Sequence, residues 1–247
     1  MIYIQSNTER TLPHHFDVAC AMYGAIESGL DYRLTSYEEI VSGKFDSLIK
    51  TNLFVGSVEF MKEVFNRIGL SDVRLPANSN RPFDVLTLGE AHEIAKTKKI
   101  FIKPYDIKLF TGLVLDGCIY SCLTGIPLDT EVMVYDVFDS PIASEWRLYI
   151  HDGEIVDSRN YSGDFRIGPD YYYVQKFVIP DYSPSVKAFT IDMGMLESGE
   201  NVVIEFNDMW AIGNYGMSND LYVRLLKDRY FEIITKRNER NLERNSN

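Results

Sequence analysis

The residue pattern predicts an α+β protein of two or three lobes in one compact body. Three observations carry this prediction. Strand-like and helix-like segments alternate up to about residue 80. The turn-rich stretch Pro76-Ala77-Asn78-Ser79-Asn80-Arg81-Pro82 then breaks the alternation. From Ile100 to Phe206 strand-like segments dominate, and one amphipathic helix follows Ser218.

The first segments read in order as follows. MIYIQ is short, apolar and rich in β-formers, which suits a first strand. After Pro13, Phe16, Cys20 and Tyr23 fall at helical spacing, with Ala19 and Ile26 beside them. A short helix follows over Tyr37 to Lys44. Leu53-Phe54-Val55-Gly56 reads as a buried strand, and the next helix carries Phe60, Val64, Phe65 and Ile68 before Gly69 stops it. Together these make a small α/β lobe over residues 1–82.

In the second half, Thr87 and Glu90 form a capping box before a helix that ends at Lys96, Lys98 and Lys99. IFIKP, VMVYDVF, EWRLYI, EIVDSRNY and NVVIEF are strands. The last helix turns Leu221, Leu225 and Leu226 inward, and the tail from residue 236 to 247 is polar and expected to fray. The expected partition is 1–82, then 83–235 divided into lobes near residue 139, then the tail.

Bulk properties bound the function. With 247 residues, 45% hydrophobic and 13% aromatic, the chain buries a sizeable core and does not read as disordered. The net charge of −11, from 25 Lys and Arg against 36 Asp and Glu, argues against a nucleic-acid binder. Cys20, Cys118 and Cys122 offer no disulfide framework and no zinc spacing, so buried thiols are expected. The N-terminus lacks a basic region and a long apolar core, and no apolar run approaches a membrane span, so the expected compartment is the cytosol without membrane contact. Oligomeric state is not legible.

Three segments carry candidate chemistry. In FIKPYDIKLFTG, residues 101–112, Lys103 stands at the end of a strand that Pro104 terminates. Lys108 and Thr111-Gly112 follow in a loop, and lysines beside loop amides suit a triphosphate. An exposed strand-end lysine is the plain alternative. Neither a P-loop nor a G-x-G-x-x-G pattern occurs.

In EWRLYIHDGEIVDSRNY, residues 145–161, Asp152-Gly153 marks a hairpin turn. Glu145 and Arg147 share one face by alternation, and an arginine there clamps a phosphate or carboxylate. A simple two-residue register pairs Arg159 with Trp146 and puts it on the opposite face, unless the arm bulges. A solvated sheet face is the competing reading.

In FTIDMGM, residues 189–195, and NVVIEFNDMW, residues 201–210, Glu205 and Asn207 share a face and Asp192 lies on the preceding strand. Two acids among apolar residues call for a cation, and the oxygen set suits Mg²⁺. A surface hairpin with ordinary acids is the alternative.

The order of lysine-proline strand, short apolar hinge strand, Glu-x-Arg hairpin, Asp strand and Glu-x-Asn strand resembles the ATP-grasp superfamily over roughly residues 85–230. It is most similar to the small phage and bacterial ATP-grasp proteins, with residues 1–82 as a pre-ATP-grasp lobe. The resemblance implies ATP and Mg²⁺ as cofactors. It puts Lys103 and Lys108 on the phosphates, the backbone of Tyr135, Asp136, Val137 and Phe138 on the adenine edge, and Asp139 near the ribose. Glu145 joins these nucleotide contacts. Arg147, Arg159 and Lys187 become catalytic, and Asp192, Glu205 and Asn207 hold the metal. Tyr105-Asp106-Ile107 departs from the family's glycine-rich loop.

The implied reaction is ligation of an unidentified carboxylate to an unidentified amine, an amino acid, peptide or protein, through an acylphosphate. A nucleic-acid ligase or nucleotidyltransferase is the alternative enzyme, although Lys103-Pro104-Tyr105-Asp106 departs from K-x-D-G. A non-catalytic ATP-binding module is the alternative of another class. The four histidines are expected at the surface, and Tyr171-Tyr172-Tyr173 in a sheet or at an interface. Trp210, Asn214 and Tyr215 are a candidate lip for the acceptor.

Overall fold

The computed structural model describes residues 1–71, 73, 75, 82–105, 109–178 and 186–245. The chain divides into two compact units. One combines Met1–Asn80 with Ile142–Asn247, and the other is Arg81–Pro141.

The larger unit begins with a parallel three-stranded sheet. Strands β1 (Ile2–Gln5), β2 (Tyr32–Thr35) and β3 (Leu53–Val55) lie in the order β2-β1-β3. All four residues of β1 and all three of β3 are buried, as expected for parallel strands covered by crossover helices. The crossovers are α1 (Phe16–Glu27) and α2 (Tyr37–Val41), and α3 (Val58–Arg67) follows β3.

Helix α1 turns a different face inward from the one its large residues suggest. Phe16 and Tyr23 are exposed, whereas Val18, Cys20, Ala21, Gly24 and Ala25 are buried. The partner explains this choice. Helix α6 (Asn219–Asn245) approaches so closely that a Cβ on Gly24 would lie 2.2 Å from the Asn219 carbonyl oxygen. Only small residues fit that contact. The N-terminal segment and α6 thus share one core, which joins Ile4, Phe54, Phe60 and Phe65 to Leu225, Tyr230 and Ile234. The expected separate lobe over 1–82 therefore has no core of its own. The backbone of α6 stays helical to Asn245 where a frayed tail was expected.

The same unit holds an antiparallel sheet in the order β11-β10-β8-β9, from β8 (Ile142–His151), β9 (Glu154–Gly163), β10 (Ala188–Leu196) and β11 (Asn201–Asp208). One face is apolar. Leu148, Ile150, Phe189, Ile191 and Met193 pack there with Val174 from α5 (Tyr171–Val178). The Tyr171-Tyr172-Tyr173 run thus lies on a helix rather than in a sheet. The other face carries the polar residues of the candidate site.

In the smaller unit, β4 (Asp84–Thr87), β5 (Ile100–Pro104), β6 (Leu113–Leu115) and β7 (Glu131–Asp136) lie in the order β4-β7-β5-β6. Helix α4 (Leu88–Ala95) starts on the Thr87–Glu90 capping box. Its Leu88, Ala91 and Ala95 pack on Ile100, Ile102, Val132 and Val134. Phe83, Phe101, Lys103 and Tyr135 form a separate group, with ring separations of 5.4 Å for Phe83–Tyr135 and 6.0 Å for Phe101–Tyr135. Cys20 is buried, but Cys118 and Cys122 are exposed, because both sit in the loop between β6 and β7. Among the described residues no helix is long and apolar enough to cross a membrane.

Candidate active site

The hairpin β8–β9 turns at Asp152 and Gly153, whose φ values of +47° and +82° match the primed turn that twisted strands prefer. His151 pairs with Glu154 and Ile150 with Ile155, as a two-residue loop requires. The register then slips by one residue at Val156. Tyr149 faces Asp157, and Arg147 faces Arg159 rather than Trp146. This bulge reverses the expected orientation of Arg159 and moves it onto the face of Arg147.

Next across the sheet, Arg147 pairs with Asp192, and Asp192 pairs with Glu205. Four strands thus carry a single charged row, Glu205–Asp192–Arg147–Arg159. The neighbouring row on the same face is Asn207, Thr190, Tyr149 and Asp157.

Arg147 and Asp192 are buried, with 6% and 3% exposure, and pair bidentately. Arg147 Nε donates to Asp192 Oδ1 and Nη2 to Oδ2, each at 2.7 Å. Burial pushes the Asp192 carboxyl up, Arg147 pulls it back, and Glu205 and Glu145 push it up further, for a net rise. Burial opposes the charge on Arg147, but its bonds to Asp192 outweigh that and hold it protonated. Asn207 Nδ2 reaches Asp192 Oδ2 and Glu205 Oε1, both at 3.3 Å. Asp192, Glu205 and Asn207 are therefore brought together as expected from alternation.

Arg159 is half-buried. Its Nη2 donates to Asp157 Oδ2 at 2.8 Å, while its buried Nε has no hydrogen-bond partner. Thr190 Oγ1, fully buried on this face, also lacks a partner.

Tyrosines border the row. Tyr161 donates to Glu145 Oε2 at 2.9 Å and stacks on Tyr215 with ring centroids 5.1 Å apart. The Arg147 guanidinium lies 4.7 Å from the Tyr215 ring and 5.8 Å from that of Tyr161. Tyr215 has a φ of +48°, unfavourable for a side chain of this size. The loop around it is pinned. Tyr149 Oη donates to the Gly213 and Asn214 carbonyls, and Asn214 N donates to Asp17 at 2.7 Å.

Of the three lip candidates only Tyr215 is exposed. Trp210 packs against Phe65 and Asn214 is buried. Tyr161 escaped sequence reasoning, because alternation on the simple register leaves it on the face of Trp146.

Lys187 is exposed just before β10, five residues from Asp192 and so roughly 16 Å along the strand. Its amide donates to Glu232 and its carbonyl accepts from Asp152 N at the hairpin turn. The fold holds it at the turn end of the sheet, away from the charged row. Of the histidines, His151 contacts Asp228 Oδ2 at 2.9 Å, and the Nε2 atom of His92 is buried. Neither is the plain surface residue expected.

In the smaller unit, Lys103 is half-buried, with Nζ 5.5 Å from the centroid of the buried Tyr135 ring. Asp136, the last residue of β7, accepts from Lys98 at 2.5 Å. Val137 and Phe138 are half-buried and Asp139 is exposed beyond the strand end. Lys108 lies outside the described residues.

The sequence from residue 79 to 225 matches the model of an ATP-grasp domain, family 2 of its clade, over more than half of the chain. The chain belongs to the ATP-grasp family. Solved structures show the same fold at low identity. D-cycloserine synthetase DcsG aligns with a TM-score of 0.56 at 12% identity, over 95% of this chain and 100% of its own. The ATP-grasp ligase PsnB, solved with a minimal precursor, gives 0.53 at 10%, over 92% and 98%. N5-carboxyaminoimidazole synthetase from Staphylococcus aureus with ADP gives 0.56 at 10%, over 92% and 77%. No curated protein matches the chain. The ATP-grasp assignment places it in a superfamily of ligases whose members bind ATP.

The donor set of this ATP-grasp protein fits a hard divalent ion. Among the described residues no three His, Cys, Asp or Glu side chains gather into a metal site. Two carboxylates and an amide instead leave much of a coordination sphere to water and phosphate oxygens, the arrangement Mg²⁺ favours.

Proposed function

We propose that this ATP-grasp protein is a Mg²⁺-dependent, ADP-forming ligase that joins a carboxylate to an amine. The observation that carries the reading is the charged row, in which the Asp192–Glu205 pair bridged by Asn207 stands beside two arginines. Acids at one end suit a cation, and guanidinium at the other suits an anion. A phosphoryl group in transfer to a carboxylate needs both.

In the first step a substrate carboxylate oxygen attacks the γ-phosphorus of ATP. The bond from γ-phosphorus to the β,γ-bridging oxygen breaks, and ADP leaves with the electron pair. In the second step the amine nitrogen attacks the acyl carbon of the resulting acylphosphate. Inorganic phosphate departs and the nitrogen loses a proton, giving the amide. Lys103 binds the nucleotide phosphates, and the backbone from Tyr135 to Phe138 reads the adenine edge with Asp139 near the ribose. Arg159 orients the transferring group. Glu205 and Asn207, with Asp192 behind them, would hold Mg²⁺, which supplies charge neutralisation on the phosphates when bound. These roles need no nucleophilic side chain, so chemistry rests on positioning and electrostatics. Glu145 borders this chemistry, and Lys187, at the far end of its strand, is given no part in it.

Thermal unfolding with and without Mg-ATP tests the nucleotide half of the reading. A ligand that binds only the folded chain adds about 2.7 kcal/mol at a hundredfold excess over its Kd. Wild-type protein should show a clear rise in Tm. Lys103→Ala should keep its unliganded Tm and lose most of the rise. An undiminished rise in that variant would remove Lys103 from the site.

A further inference from the structure

Asp192 is claimed from two sides. Arg147 donates to both of its oxygens at 2.7 Å, and Asn207 Nδ2 donates to Oδ2 at 3.3 Å. A carboxylate offers about four lone-pair directions. Three are engaged within the protein, so Asp192 has about one left and cannot chelate an ion through both oxygens.

The arginine is held as firmly as the acid. Its side chain is 7% exposed, with Tyr215 and Tyr161 beside it. Nη1 lies against the Gly213 backbone, where an added Cβ would be 3.7 Å away. A guanidinium spent on Asp192 and walled in by rings and backbone is poorly placed to follow a moving phosphoryl group.

Arg159 differs in each respect. Its side chain is 37% exposed, it makes a single ion pair to Asp157, and its buried Nε has no partner. An unpartnered buried donor on a charged group is costly, and an anion in front of it removes the cost.

We propose that Arg147 is a positioning residue, the built-in counter-cation of Asp192. It reserves that carboxylate against free divalent ions and leaves Arg159 as the arginine that meets the transferring phosphoryl group. The second clause rests on the ligase reading; the first does not. A free ion finds Glu205, Asn207 and one lone pair of Asp192, so it binds weakly alone and well only with the oxygens of a nucleotide.

The test is a Mn²⁺ titration without nucleotide, with free Mn²⁺ read by electron paramagnetic resonance. Wild-type protein should bind Mn²⁺ weakly. Arg147→Met, which opens both oxygens of Asp192, should bind it at least about tenfold more tightly, a difference of about 1.4 kcal/mol. Adding Asp192→Asn to that variant should abolish the gain, and Arg159→Met should leave Mn²⁺ affinity at the wild-type value. Arg147→Lys, with one donor group in place of a fork, should show a smaller gain and serves if the methionine variant does not fold. Unchanged affinity in a folded Arg147 variant overturns the proposal. If neither variant folds, the wild-type titration decides, because tight Mn²⁺ binding without nucleotide overturns it and weak binding supports it. Failure of the wild type to bind any adenine nucleotide would sink the ligase reading while leaving the metal result standing.

Discussion

Asp192 and Glu205 are adjacent acids on one face, and the site depends on how each is neutralised. Asp192 is answered inside the protein by Arg147, while Glu205, only partly buried, shares Asn207 with it. Glu205→Gln keeps the shape and removes one charge. The variant should stay folded and retain most of the Mg-ATP shift in Tm, while turnover falls by about 10²–10³-fold, the usual loss when one electrostatic contact to a transition state is removed. Full turnover would remove Glu205 from the chemistry. Arg147→Ala should act on stability, because it strands a buried carboxylate, and a loss of about 3–5 kcal/mol in chemical denaturation is expected. A loss under about 1 kcal/mol would mean that the pair is not ionic in solution. Lys103, Arg147, Asp192, Glu205 and Asn207 were all legible at this scale, because residue type and alternation along a strand are local properties. The pairing of Arg147 with Asp192 was not, since it needs two strands separated by more than thirty residues of chain.

Elements add what single residues do not show. One extra residue at Val156 shifts the register of β9, and only for that reason does Arg159 join Arg147. Alternation fixes faces within a strand, but register depends on where a bulge falls, and nothing in EIVDSRNY marks that place. Helix α1 shows the same limit. Spacing picked out Phe16 and Tyr23, yet the close approach of α6 selects the face of Ala21, Gly24 and Ala25. Gly24→Ala would gain about 1 kcal/mol of helix propensity, but its Cβ would meet the Asn219 backbone. Overpacking should win, with a net loss of about 1–3 kcal/mol measurable by denaturation.

Helix α2 carries a pH prediction. Burial disfavours the ionised form of Glu39, but bonds from Lys44, the Ser36 amide and Thr35 outweigh it and bring the carboxyl from 4.5 down to about 2. A depressed folded-state value stabilises the protein fully above about pH 4.5, and that contribution fades as pH falls towards 2. Wild-type protein should therefore lose more stability between pH 4.5 and 2 than Glu39→Gln. Parallel pH profiles would contradict the assignment.

At the scale of the whole molecule, the order of chemistry-bearing strands was legible because each carries its own signal of lysine-proline, Glu-x-Arg or Glu-x-Asn. The partition was less so. Composition breaks near residue 80, but contacts rejoin Met1–Asn80 to Ile142–Asn247, since the apolar face of α6 closes the core of the first sheet. A linear pattern does not reveal which distant segments complete one another. The same holds for substrates, whose recognition is not encoded in any motif found here. Amino acids, peptides and candidate acceptor proteins should therefore be screened in pairs for nucleotide turnover.

The central claim is most directly tested by ³¹P NMR of that turnover with a productive pair. The ligase account predicts ADP and inorganic phosphate in equal amounts, formed in step with the amide and absent without the carboxylate. AMP and pyrophosphate, or a protein-bound AMP, would contradict it.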